Sequence, residues 1–199
     1  YHGTFALGLI DGRLQLEGPI WKGKTSFNVG LRRTWTETLT LPLFAIVNKY
    51  NKPDKLNARY AFSDFNAKLT HKFSGTNRLS ANLYSGRDVF RYFGKEIGSY
   101  YDAEGILREE QNITDIGLSW GNVLGSLNWD YKLNDRISMK NIAYYSGSIS
   151  NLYFYAKEVD VFDNSVKNGA YNMSDVHNIG LKSDFHHVLG GRQKLRYGA

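Results

Sequence analysis

The chain of 199 residues contains no cysteine, only three prolines, two methionines, and no long apolar run. Without cysteine there can be no disulfide framework and no thiolate chemistry. The most apolar stretch, Leu39 to Val47, is nine residues interrupted by Pro42, far short of the roughly 18 needed for a transmembrane helix. Charge of one sign is not concentrated either. The net charge of +6 comes from 25 basic and 19 acidic residues, interspersed along the chain, whereas a nucleic-acid binder gathers its cations on one face or helix. Mean hydropathy is −0.44. Abundant instead are glycine, with 20 residues, and aromatics, with 14 Tyr, 11 Phe and 4 Trp.

One stretch imitates an enzyme motif. Gly18 to Thr25 (GPIWKGKT) is a complete G-x-x-x-x-G-K-[ST]. That loop cradles phosphates only where a buried strand enters it and a helix leaves it, so that backbone N–H groups converge on the anion. Here Ser26-Phe27-Asn28-Val29-Gly30-Leu31-Arg32 alternates polar and apolar residues, which is strand periodicity. Arg13-Leu14-Gln15-Leu16-Glu17 alternates too. The segment reads as two strands joined by a Gly-Pro turn, and no nucleotide site is expected.

Period-two alternation recurs in eight segments, roughly 4–17, 24–36, 58–73, 77–90, 114–133, 136–154, 175–189 and 192–199. Tight connections (Gly18–Gly23, Ser74-Gly75-Thr76, Asn134-Asp135, Gly190-Gly191) alternate with long ones (about 37–57, 91–113 and 155–174). In an up-and-down meander every second connection lies at the same end, so one end is flat and the other carries large loops. Transmembrane β-barrels of the outer-membrane type have this asymmetry. Phe65, Ala67, Leu69, His71 and Phe73 form one face of their strand; Asp64, Asn66, Lys68, Thr70 and Lys72 form the other. Leu79, Ala81 and Leu83, and Leu127, Trp129, Tyr131 and Leu133, repeat the pattern. Phe73, Trp129, Tyr131 and Phe185 lie near the tight turns. Phe90, Tyr92, Phe93, Tyr144, Tyr145, Tyr153, Phe154 and Tyr155 lie near the long loops, so two interfacial aromatic belts are expected. Alternation alone does not say which face meets water, and a soluble sheet protein remains open at this point.

Several motifs, taken together, resemble TonB-dependent outer-membrane receptors of the Bacteroidetes type. They are Leu14-Gln15-Leu16-Glu17-Gly18-Pro19-Ile20, Lys22-Gly23-Lys24-Thr25-Ser26-Phe27, Arg32-Arg33-Thr34-Trp35, Asp64-Phe65-Asn66-Ala67-Lys68-Leu69, Leu83-Tyr84-Ser85-Gly86-Arg87-Asp88, and Ser119-Trp120-Gly121-Asn122 followed by Asn128-Trp129. The resemblance implies an all-β antiparallel meander of about eight strands, part of a transporter barrel of about 22 strands with a plugged lumen. Residues 1–199 would then be the early part of that barrel, from its second strand onward, within a longer protein. Strands that expect neighbours at both edges leave unpaired backbone groups, which invite association in water. The implied function is binding and energised import of a large or scarce solute, such as a glycan, siderophore, cobalamin or peptide, across a Gram-negative outer membrane. The implied partners are a TonB complex acting through the plug, a surface lipoprotein and outer-membrane lipid, with the long loops extracellular. No nucleic acid, nucleotide, cofactor or catalysis is implied. Alternatives are a complete eight-stranded outer-membrane barrel (adhesin, narrow pore or anchor), a soluble barrel for a small apolar ligand, and the nucleotide-binding enzyme.

Candidate chemistry is sparse. His186 and His187 are adjacent on a strand and point to opposite faces, so they cannot share a metal. Asn112-Ile113-Thr114 and Asn172-Met173-Ser174 match glycosylation sequons and read as ordinary loop residues. Arg32, Asp64, Asn66, Lys68, Arg78, Asn82 and Tyr84 are expected to line the lumen. Of these, Arg32, Asp64, Asn66 and Tyr84 are candidate substrate contacts. Arg87 and Asp88 are expected to pair at the rim. Tyr92, Tyr100 and Tyr101, with Phe90 and Phe93, would offer rings from loop 91–113 for substrate capture.

Overall fold

The structure is a computed structural model describing residues 1–21, 23–159, 164–190 and 193–199. Nine antiparallel strands follow one another in a single sheet, each paired with its sequence neighbours. They are β1 (His2–Leu7), β2 (Asp11–Trp21), β3 (Thr25–Thr34), β4 (Lys55–Lys72), β5 (Asn77–Tyr101), β6 (Leu107–Lys132), β7 (Ile137–Val159), β8 (Ser165–Val188) and β9 (Lys194–Gly198). Among the described residues one helix, α1 (Thr36–Tyr50), joins β3 to β4. Among the described residues β1 does not pair with β9, so the sheet is open. A closed eight-stranded barrel is not what forms.

The expected first segment, 4–17, divides in two. Gly8, Leu9 and Ile10 turn the chain between β1 and β2, where the Gly8 N–H donates to the Asp11 carbonyl (2.7 Å). The enzyme-like motif lies on strands at both sides. β2 runs through Gly18 and Pro19 to Trp21, with its register shifting between Pro19 and Trp21. The reversal is therefore not at the Gly-Pro pair; it is closed by the Lys24 N–H donating to the Trp21 carbonyl (2.8 Å), with Gly23 at φ +68°. Pro19 is tolerated because β1 pairs only as far as Glu17, which leaves Pro19 at a free edge. Thr25 opens β3 where a phosphate loop would open a helix. Lys22 and Gly191 lie outside the described residues.

Two of the long connections are mostly strand. β5 and β6 stay paired out to Tyr101–Leu107, and β7 and β8 to Val159–Ser165. Both sequons therefore lie in strands, β6 and β8. Strands of 23 to 26 residues extend about 80 Å at roughly 3.3 Å per residue, well beyond the 9–11 residues that cross a bilayer. The reversal at 102–106 is built by Asp102. Its Oδ1 accepts from the N–H groups of Glu104 (3.1 Å) and Ile106 (2.8 Å), its Oδ2 accepts from Arg108 Nε (2.7 Å), and Gly105 takes φ +77°. At the flat end Asn134 Oδ1 accepts from the N–H groups of Arg136 and Ile137, both at 2.9 Å.

Helix α1 answers an edge problem. β3 pairs with β4 only from Ser63 to His71, so residues 55–62 of β4 would present bare backbone. The Asn48 amide replaces a strand there. Its Nδ2 donates to the Leu56 carbonyl (2.9 Å) and its Oδ1 accepts from the Leu56 N–H (2.7 Å). Thr36 Oγ1 donates to the Tyr60 carbonyl.

Directly opposed residues of an antiparallel sheet share a face. Apart from the shift in β2, the registers run without interruption. One face carries successive rows such as Leu69–Ala81–Leu127–Ala143–Leu181 and Ala67–Leu83–Gly125–Tyr145–Ile179. The other carries Lys68–Asn82–Ser126 and Arg32–Asp64. No hydrophobic side chain is buried among the described residues; Leu127 is 52 % and Ile179 83 % exposed. A water-soluble fold would cover such rows, whereas a barrel wall presents them to hydrocarbon. At the flat end rings gather on this face: Trp129 stacks on Tyr131 (5.7 Å), Phe185 on Tyr197 (5.3 Å), and His71 meets Phe73 edge-on (4.6 Å). The sheet is an all-β meander with the architecture of part of an outer-membrane barrel wall, with nine strands rather than about eight.

Candidate functional site

The polar face is held by short side-chain pairs spanning neighbouring strands. Arg32 Nε donates to Asp11 Oδ2 (2.7 Å), and its guanidinium lies over the Phe62 ring, 4.5 Å from the centroid. Tyr84 Oη donates to Asp64 Oδ1 (3.1 Å). Tyr60 Oη donates to Asp88 Oδ1 (2.7 Å). The hydrogen bond to the Asp88 carboxylate, helped by burial, raises the Tyr60 phenol above its ordinary value, so Tyr60 stays a donor at neutral pH. Toward the flat end Asn82 Nδ2 donates to Ser126 Oγ (3.1 Å), and Arg78 donates to Asp130 through Nε (3.1 Å) and Nη2 (2.6 Å).

Gly86 makes the Tyr84–Asp64 contact possible. The Tyr84 hydroxyl lies in the space a side chain at residue 86 would fill, and Asp64 Oδ1 stands 3.0 Å from the same point. A bare patch of sheet thus seats the phenol against the carboxylate.

The expected site residues divide between faces. Arg32, Asp64, Asn66, Tyr84, Asp88 and Tyr92 share the polar-face register, and Tyr100 continues it near the tip. Arg87 and Tyr101 alternate to the other face. The expected Arg87–Asp88 ion pair does not form: neighbours on a strand point apart, and the Asp88 carboxylate meets Tyr60 instead. Lys68, Arg78 and Asn82 lie on the polar face as expected.

Sequence reasoning missed a change of polarity along the strands. Past Asp64 and Gly86 the polar face turns aromatic and apolar. Phe62, Asp88 and Trp120 form one row, Tyr60, Phe90, Leu118 and Leu152 the next, and Tyr92, Ile116 and Phe154 a third. The expected outer aromatic belt is therefore not one girdle. Phe90, Tyr92 and Phe154 lie on this inner shelf; Phe93, Tyr153 and Tyr155 lie on the opposite face; Tyr144 and Tyr145 fall lower, opposite Ser126 and Gly125. The shelf above and the hydrogen-bonding groups of Arg32, Asp64 and Tyr84 below offer stacking and polar recognition side by side, as organic-ligand sites do.

On the opposite face two further clusters went unforeseen. Arg91 grips Asp115 with two donors, Nε to Oδ1 (3.0 Å) and Nη2 to Oδ2 (2.5 Å), while Tyr153 Oη donates to Asp115 Oδ1 (3.2 Å). The guanidinium holds the Asp115 carboxyl below its ordinary range. Tyr145 stacks on His177 and meets its Nδ1 at 2.7 Å; His177 Nε2 lies 2.8 Å from Asp175 Oδ1. His186 and His187 alternate between faces, opposite Ser138 and Ile137. Among the described residues no three His, Asp or Glu side chains gather to hold a metal ion.

No protein-family model matches the sequence, and no curated protein matches it at a significant level. Solved structures do resemble it in backbone. A chain of the RagAB peptide transporter superposes at TM-score 0.56 and 10 % identity, covering 88 % of this chain. The RagAB peptide importer gives TM-score 0.58 and 9 % identity in its open-open state, and 0.55 and 8 % in its closed-closed state, each covering 94 % of this chain. This chain spans about a quarter of the length of those it matches, from 25 % to 27 %. At such identity the likeness concerns the fold, an outer-membrane barrel wall.

Proposed function

We propose that this chain is a section of the wall of an outer-membrane transporter that imports a large or scarce solute, with energy delivered by a TonB complex through a plug. No bond is made or broken. One observation carries the reading: an open meander with apolar rows on one face and hydrogen-bonded polar pairs on the other, superposing on a quarter of a peptide importer over 94 % of its own length. The inner shelf of Phe62, Phe90, Tyr92 and Trp120 is the substrate wall, and Arg32, Asp64 and Tyr84 beneath it meet polar groups of the same solute. A peptide fits this mixture, with apolar side chains on the shelf and amides on the polar groups. Tyr100 and Tyr101 at the hairpin tip are first contacts on the outside, where a surface lipoprotein would also sit.

The test is the native product in outer-membrane fractions, detected with an antibody to this chain and compared with and without heating. A band several times larger than 22.7 kDa that shifts on heating supports a transporter barrel. A band at 22.7 kDa, or none in membranes, overturns the reading.

A further inference from the structure

The outer face changes character where the apolar rows stop. From Phe73 to Ser63 β4 advances about 33 Å at roughly 3.3 Å per residue; at a tilt of about 40° that spans the roughly 25 Å apolar band of an outer-membrane barrel. Ser63 lies directly between Arg33 and Arg87. Two rows farther out Arg59 and Arg91 face each other across the β4–β5 ladder. These four arginines line one cavity of about 770 Å³, closed on one side by Glu37 and Leu41 of α1.

Only two carboxylates face the four arginines. Glu37 engages Arg33 (3.1 Å) and Asp115 engages Arg91. Among the described residues, neither the Arg59 nor the Arg87 side chain has an ion pair or hydrogen bond in the structure. Like charges directly opposed across a ladder are destabilising; Asp115 offsets part of this at Arg91 and acts on Arg59 as well, while Arg87 faces no carboxylate partner among the described residues. Charge is also sorted between faces. Farther out, Lys55 opposes Lys95 and Lys157 opposes Lys167 on the outer face, whereas Glu96, Glu110 and Glu158 occupy the inner register. The sorting is partial: Glu109 and Asp115 hold the outer register, and Arg108 the inner one.

We propose that Arg33, Arg59, Arg87 and Arg91 form a binding site for a phosphate of an outer-leaflet glycolipid. Guanidinium forks suit phosphate oxygens. The cavity takes the phosphorylated sugar. Beside Arg87 lies a second recess floored by Gly121 and Gly147 and flanked by Tyr145, Asp175 and His177. The site lies on the face opposite the substrate shelf, so it anchors and orients the barrel rather than meeting solute.

The inference rests on that face being lipid-facing, and the experiment separates the two. The complete protein in detergent is titrated with phosphorylated lipid A, with the same lipid after dephosphorylation, and with inorganic phosphate, following thermal stabilisation. Heat-shifted mobility reports whether the barrel forms. Lipid A is expected to stabilise the wild type, with the dephosphorylated lipid and free phosphate at equal concentration failing to do so. Arg59→Gln with Arg87→Gln is expected to weaken lipid A binding roughly tenfold or more, Arg59→Lys with Arg87→Lys to retain most of it, and Arg13→Gln on the lumen face to leave it unchanged. Equal binding of the dephosphorylated lipid, stabilisation by free phosphate alone, or undiminished binding by the glutamine variant overturns the site while the barrel reading stands. A protein that gives no heat-shifted barrel overturns both.

Discussion

Leu124 and Leu127 lie three residues apart on β6 and are partly exposed at 40 % and 52 %, yet the sheet register assigns them to opposite faces. Leu127 sits in the row Leu69–Ala81–Leu127–Ala143–Leu181, near mid-height of the apolar band; Leu124 sits between Tyr84 and Ser146 on the polar face. Leu127→Arg therefore puts a guanidinium into hydrocarbon near the midplane, at a cost of about 2–4 kcal/mol. That is roughly 30- to 1,000-fold in the folding equilibrium, since 1.4 kcal/mol is a factor of about ten. Leu124→Arg directs the same group into a polar lumen and is expected to cost under about 1 kcal/mol. Guanidinium unfolding of the complete protein in phospholipid vesicles would measure both variants against wild type, with the slope checked for constancy. Equal costs, or a larger cost at Leu124, would refute the assignment of faces and with it the barrel argument. A soluble sheet protein with its apolar face in a core would share this order but would fold without vesicles, so the need for lipid is measured alongside.

Three further outcomes follow from particular contacts. Asn48→Ala removes both bonds that shield the Leu56 backbone, and hydrogen exchange at the Leu56 amide should accelerate by roughly ten- to a hundredfold, from the loss of about 1–3 kcal/mol; unchanged protection would mean that α1 does not hold the β4 edge. Gly86→Val drives the Tyr84 hydroxyl off Asp64 and is expected to lower substrate affinity of the complete protein while heat-shifted mobility persists; unaltered affinity would remove Tyr84 and Asp64 from the substrate wall. Asp102 and Asp115 lie outside the membrane band. Asp102 is held below its ordinary value by the Ile106 N–H and then by Arg108, and Asp115 by Arg91. Because both are depressed on folding, their stabilisation is present above the unfolded carboxylate value of about 4 and is lost as pH falls through the lower folded value. Limited proteolysis should therefore nick the β5–β6 hairpin tip only in strong acid, and Asp102→Asn should bring cleavage at neutral pH; a tip equally resistant in that variant would refute the turn's dependence on this carboxylate.

Most strand pairs, and the turns at Ser74–Thr76 and Asn134-Asp135, were legible because their causes are local; the turn at Gly8–Ile10 and the place of the β2–β3 reversal were not. Alternation at Phe65–Phe73, Leu79–Leu83 and Leu127–Leu133 follows from the two-residue repeat of a strand, and turn residues such as Asn134 act on their own backbone. The helix over 36–50 was not legible. Its capping residue, Trp35, makes no side-chain cap bond and Pro42 lies inside it; it exists because β4 outruns β3 and Asn48 can complete the exposed edge. The outer hairpins were mistaken for loops because their apolar residues change phase. In β5 Leu79, Ala81 and Leu83 hold one phase, but at Val89-Phe90 and Tyr92-Phe93 both phases are apolar. Such a change can mark a bulge, which keeps the same face apolar, or a real reversal of polarity. Only the unbroken β4–β5–β6 register distinguishes these; it shows no bulge, so Phe90 and Tyr92 join the face that carries Asn82 and Tyr84.

By itself, then, the sequence determined the meander and the two-faced strands, because strand periodicity and turn chemistry are written over a few consecutive residues. It also excluded the phosphate loop, because Ser26 to Arg32 cannot be a helix and a strand at once. The tertiary structure alone decided which residues stand side by side. Arg59 meets Arg91, and Tyr84 reaches Asp64 across Gly86, through ladders joining positions 20 to 32 residues apart. It also decided that Arg87 and Asp88 serve different faces. Those placements depend on how far each strand slides against its neighbour, and a slide of one residue would turn every side chain to the other face.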